Sequence, residues 1–277
     1  MTLSDRNLFF KAGIALASVC TVLVIIASVV IIPVYPAMRA EVSRRPAGIF
    51  HAIISPLFSI NLYAVHLSLA AMVLFALVSL IMIYHYFEQT QAQEILFVAF
   101  FSISFSLETA RLIIPLQMVY DIPPLYLIMA SRILLFGRYF GIFSLFTASV
   151  CAAGLDIQKQ RNIIFIIIVA TLIIALGIPI DTQTWDSSLN MINGFTSLFR
   201  LIEAGVFLTT VISFFIAARS RGSREYIFTG MGAFLALLGR NLLLNADTWA
   251  SPGLGILFLA LGTWLICTQL HKIYLWL

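Results

Sequence analysis

The chain has 277 residues, of which 61% are hydrophobic and 10% charged, and its mean hydropathy is +1.04. A soluble domain carries roughly 25% charged residues, so this chain cannot cover a water-exposed surface, which excludes disorder, nucleic-acid binding and a soluble enzyme. The net charge of +4 is the balance that basic cytoplasmic loops give an inner-membrane protein.

At about 20 apolar residues per crossing, the chain accommodates eight transmembrane helices, making it an all-α polytopic membrane protein. Charge-free stretches place them over residues 13–33, 62–87, 95–120, 125–153, 162–180, 197–218, 226–244 and 252–274. The first is flanked by Lys11 and Arg39 and ends in a cleavage-like Ala37-Met38-Arg39-Ala40. Its apolar run exceeds the 7–15 residues of a signal-peptide core, so it reads as an uncleaved anchor. Residues 1–60 then form this anchor with an outer loop, in which Arg45-Pro46 and residues 50–57 read as an interfacial segment. Residues 61–277 form a seven-helix core.

The second span has His66 and His85 at opposite ends, and the third holds Glu108, Arg111 and Pro115, the proline predicting a kink. Arg132 and Arg138 lie in the fourth span, Arg138 within Gly137-Arg138-Tyr139-Phe140-Gly141, a spacing that favours close helix packing. Arg200 and Glu203 belong to the sixth span, and Arg240, Asn241 and Asn245 to the seventh. Cys20, Cys151 and Cys267 fall in apolar runs without metal-ligand spacing.

Orientation follows from basic residues in short loops. Arg6 and Lys11, Lys159 with Arg161, Arg219, Arg221, Arg224 and Lys272 alternate with loops bearing Asp121, Asp181, Asp186 and Asp247. Both termini are therefore expected in the cytoplasm of a cell-membrane protein. Arg39, Arg44 and Arg45 oppose this assignment and are outvoted.

An internal repeat is also expected. Glu94-Ile-Leu-Phe97 opens the third span and Glu225-Tyr-Ile-Phe228 the seventh, each followed by a deep arginine (Arg111, Arg240), an aspartate (Asp121, Asp247) and a proline (Pro123, Pro252). Residues 61–153 and 197–275 then form parallel three-helix units joined by the inverting helix 162–180. This three-one-three arrangement resembles that of small sugar transporters and of seven-helix receptors, in architecture alone. A retinal protein is excluded, because no lysine lies within the eighth span to carry a Schiff base.

Ionisable groups inside spans cost about 2.5–3.5 kcal/mol each on insertion scales and mark function by default. Arg111, Arg132, Arg138, Arg200 and Arg240 face only Glu108 and Glu203, and arginine does not shed its proton. The excess calls for an anion, whose planar oxygens guanidinium groups match. Arg111, Arg132, Arg138, Arg240 and Asn245 are the expected ligand-binding residues of an outward-facing cavity. Glu108, Glu203, Arg200 and His66 are the expected coupling or ion-pairing residues.

The competing reading is structural. Glu108 with Arg111, and Arg200 with Glu203, stand at i,i+3 and neutralise one another on a helix face. No HExxH pair, nucleophile elbow or nucleotide loop occurs, so neither an enzyme nor a cofactor is expected. The expected function is a secondary transporter or permease for a small anionic solute. The alternative is a receptor-like or assembly subunit binding an anionic ligand or lipid headgroup and acting through a membrane protein partner.

Overall fold

The computed structural model describes residues 3–35, 61–88, 90, 92–154 and 160–275. About 86% of it is helical, with eight helices long and apolar enough to cross a membrane. They run over Leu3–Val34, Leu62–Phe87, Gln93–Gln117, Pro124–Ala152, Gln160–Gly177, Thr196–Arg221, Glu225–Leu244 and Ala250–Tyr274. The expected interfacial segment at 50–57, with Arg39, Arg44, Arg45 and His51, lies outside the described residues, as does Lys159.

The helices alternate in direction, and contacts between their ends fix this. Asp5 meets Arg161, Arg6 meets the carbonyl of Phe87, Glu94 meets Tyr274, and Arg221 meets the carbonyl of Cys151. Starts of odd-numbered spans and ends of even-numbered spans thus share one face, which also holds the first and last described residues. The opposite face is built from Asn61, Asp247 and the segment after the fifth span.

The third span is the hub, with 72% of its most apolar stretch enclosed, against 17% for the sixth. The difference follows from side-chain content. The third span puts Phe97, Phe101, Phe105, Glu108 and Arg111 into the interior, whereas the sixth turns Leu201, Leu208, Ile212 and Ile216 outward as a lipid-facing helix does. The second and fourth spans flank the third, the sixth packs on the fourth and seventh, and the eighth lies along the seventh and touches the second.

Two departures from the sequence reading shape the interior. The first concerns Pro115. The third span is α-helical over Gln93–Ser104, becomes a 3-10 helix over Phe105–Leu112, and resumes as α-helix over Ile113–Tyr120. Proline has no N–H and its ring crowds the carbonyl four residues back, here Arg111. The change of helix type ends three residues before the proline. Eight residues is long for a 3-10 helix, which rarely exceeds 3–4 residues.

The second departure is a β-hairpin. The fifth helix stops at Gly177, before Pro179, and strand β1 (Ile180–Trp185) pairs antiparallel with β2 (Met191–Asn193). The β-branched and aromatic character of Ile180, Thr182, Thr184 and Trp185 suits a strand. The turn is fastened by the Asp186 carboxylate, which accepts the backbone N–H groups of Ser188 (3.0 Å) and Asn190 (2.9 Å), as aspartate does in turns.

Candidate functional site

The 3-10 segment explains why charge can enter the bundle here. At three residues per turn, side chains at i and i+3 eclipse, giving three ridges. Phe105, Glu108 and Arg111 form the ridge that faces the interior, and all three are buried. An α-helix would turn Glu108 and Arg111 roughly 60° apart. The 3-10 turn stacks them, and Arg111 Nε lies 2.8 Å from Glu108 Oε2.

Glu108 is shared. From the fourth span, Arg138 donates through Nε to Oε1 (2.9 Å) and through Nη2 to Oε2 (3.1 Å), the bidentate fork that guanidinium and carboxylate favour. Arg138 reaches this position because the fourth span lies unusually close to the third. A Cβ on Gly141 would overlap Ser104 Oγ, and one on Gly137 would stand 3.0 Å from Leu107 Cβ. The two glycines are thus used for packing within the chain.

Arg240 enters from the seventh span. Its Nη2 donates to the carbonyl of Arg138 (2.9 Å) and its Nη1 to Asn241 Oδ1 (3.2 Å). Arg111 Nη2 donates to the carbonyl of Leu244 at the end of the same span (2.8 Å), while its Nη1 is buried without a hydrogen-bond partner. Three guanidinium groups from three spans therefore converge around one directly bound carboxylate.

The charge around them is less lopsided than the sequence implies. Glu203 of the sixth span acts electrostatically on Arg138 and Arg240, and Asp186 of the hairpin acts on Arg111 and Arg138. With Glu108, three carboxylates stand against Arg111, Arg138 and Arg240. The hairpin contributes a second group, Asn190, whose Oδ1 accepts from Arg138 Nη2 at 2.6 Å. Asp186 and Asn190 are not among the residues expected from the sequence. Their signal is the turn-forming run Asp186-Ser187-Ser188-Leu189-Asn190, but nothing local shows that the turn folds back over Arg138.

The remaining expected residues lie elsewhere. Arg132 donates to the carbonyls of Ala175 and Ile178, capping the end of the fifth helix, where orphan carbonyls and the helix dipole favour a cation. Arg200 is exposed, and among the described residues it makes no ion pair with Glu203. Asn245 closes the seventh helix with Nδ2 on the carbonyl of Asn241 (2.9 Å) and is also exposed.

His66 joins the first and second spans, with Nε2 2.7 Å from Ser28 Oγ and Nδ1 2.9 Å from the Tyr35 hydroxyl. Ser28 Oγ donates to the carbonyl of Val24 (2.6 Å), so it must accept from the imidazole. That fixes the proton on Nε2 and makes Tyr35 the donor to Nδ1. Burial raises the Tyr35 phenol above its ordinary value and keeps it protonated. A serine whose proton points at a carbonyl is not an activated nucleophile, since activation needs a base to accept that proton. The triad is a satisfied chain of donors that ties two helices together.

No family model, curated protein or solved structure matches the chain.

Proposed function

We propose that the protein is a secondary transporter or permease for a small anionic solute, held here with its charged centre closed. The supporting observation is the convergence of Arg111, Arg138 and Arg240 around Glu108. The two Glu108 oxygens take the place that the oxygens of a carboxylate or phosphate ligand would take. Protonating Glu108 would leave three cations against Glu203 and Asp186, and one monoanion would restore the balance. Proton and anion would thus enter together, with Glu108 as the coupling residue. Asn190 lies over Arg138 as a lid from the hairpin, and it must withdraw before an anion reaches the guanidinium.

The face holding Asp186 and Asp247 is outward on this reading, and the face holding Arg161, Arg221 and Lys272 is cytoplasmic, as the positive-inside bias requires. The contacts of the fourth span with the sixth, and of the eighth with the second, are the pair that a two-fold relation between the two three-helix units would exchange. They support a parallel repeat with the charged centre between its halves, the place where transporter sites lie.

One observation favours the alternative of an assembly or receptor-like subunit acting through a membrane partner. Arg111, Arg132 and Arg240 all donate to backbone carbonyls of other spans, as groups whose work is to hold helices do. Uptake of labelled small carboxylates and phosphate into proteoliposomes, with and without an inward proton gradient, separates the two. Transport predicts saturable uptake that Arg240→Gln abolishes while the variant still unfolds cooperatively, and that Glu108→Gln uncouples from the gradient. Absence of uptake for every anion, with a stoichiometric membrane protein retained on purification, would overturn it.

A further inference from the structure

The other two ridges of the 3-10 segment face away from the charges, and they floor a cavity. Its volume is about 470 Å³, within the ~300–1,000 Å³ of ligand clefts. The floor is Ser106, Leu107, Thr109, Ala110, Leu112 and Ile113. The first span supplies one wall with Cys20, Leu23 and Ala27, and the fourth supplies the other with Tyr126, Met129, Ala130 and Ile133.

The chemistry of the lining selects the occupant. Water is excluded, since a buried water needs 2–4 polar partners and the lining is almost wholly apolar. The Thr109 hydroxyl is committed to the carbonyl of Ser106 (2.8 Å), and Ser106 alone keeps a buried, unpartnered hydroxyl. A spanning helix of a partner is excluded by size. A helix must run about 30 Å to cross the bilayer, whereas each wall of the cavity, Cys20 to Ala27 and Tyr126 to Ile133, is only about two turns long. A hydrocarbon chain, by contrast, is thin enough to enter between the two walls. The walls continue into outward-facing apolar surface at Val19, Val22 and Ile26 on one side and Leu125 and Met129 on the other, so the way in is from the bilayer. Tyr126 is exposed at the start of the fourth span, at the level where tyrosines meet lipid headgroups.

We propose that this cavity binds one acyl chain of a bilayer phospholipid, with the headgroup at Tyr126. The chain supports the back of the helical segment whose front ridge carries Glu108 and Arg111. The site stands apart from the anion centre and holds whether or not the protein transports an anion.

The test uses the full chain in phosphatidylcholine vesicles doped with a phosphatidylcholine carrying a mid-chain diazirine. After illumination, label should concentrate at residues 106–116 and 126–133. Ala27→Phe fills the cavity from the peripheral first span, and Ala110→Phe fills it from the floor. Each should lower labelling there at least ten-fold while labelling of the exposed sixth span is unchanged. Ala27→Phe carries the conclusion if Ala110→Phe fails to fold. Label spread evenly over the lipid-facing spans, or unaltered by Ala27→Phe in a folded protein, would overturn the proposal. So would exclusion of label by a co-purified membrane protein.

Discussion

Arg111 and Arg240 are both buried arginines in the middle spans, yet the helix pairs that hold them are built in opposite ways. The third and fourth spans meet backbone to side chain, Gly141 against Ser104 Oγ and Gly137 against Leu107, interrupt one helix with a 3-10 segment, and leave the hydroxyls of Ser102, Ser106 and Ser144 buried without partners. The seventh and eighth spans meet backbone to backbone. A Cβ on Gly239 would overlap the amide nitrogen of Leu259, and one on Gly262 that of Ala236. Their hydroxyls are satisfied, Thr229 by the carbonyl of Glu225 and Thr263 by that of Leu259. One pair forms a strut of backbone contacts, and the other carries its charged ridge on a 3-10 turn.

The largest effect should come from the charged ridge. Glu108→Ala leaves Arg111 and Arg138 buried without their common carboxylate, a loss of about 3–5 kcal/mol. A fall of that size in unfolding free energy is expected in detergent, whereas an unchanged midpoint would show that the ridge is hydrated and mobile. Next is the strut. Gly239→Ala and Gly262→Ala push a methyl into the facing backbone, which has no rotamer through which to yield, and should cost about 1–3 kcal/mol each. Gly253, around which a Cβ meets nothing within 4 Å, is the control, and Gly253→Ala should be neutral or slightly stabilising. Equal responses at the three glycines would abolish the distinction between the two helix pairs.

Much of this is legible in the sequence because bilayers impose simple rules. The bounds of the second span coincide with the structure, and the Glu108–Arg111 pair follows from i,i+3 spacing alone. What is not legible depends on neighbours. Pro115 announces a disturbance, but the change of helix type reaches back to Phe105, where no local signal marks it. Arg132 looks like a ligand group until the end of the fifth helix is placed beside it. Arg138 looks unpaired until Gly137 and Gly141 bring Glu108 within reach. Residues Leu3 to Ala12 fall outside the first span on charge alone, because they carry Arg6 and Lys11. In the structure Arg6 is buried against the carbonyls of Phe87, Glu88 and Thr90, inside a helix that already covers Leu3.

The smallest effects decide the comparison most cleanly, because they differ in sign. Thr263→Val removes a hydroxyl bonded at 2.9 Å to the carbonyl of Leu259, preserves the shape, and should destabilise by about 0.5–1.5 kcal/mol. Ser102→Ala removes a hydroxyl that is buried and bonded to nothing, so it relieves a desolvation cost and should be neutral or stabilising. Both are read as shifts of the thermal midpoint under one detergent condition. If Ser102→Ala destabilises as much as Thr263→Val, the hydroxyl has a partner in solution.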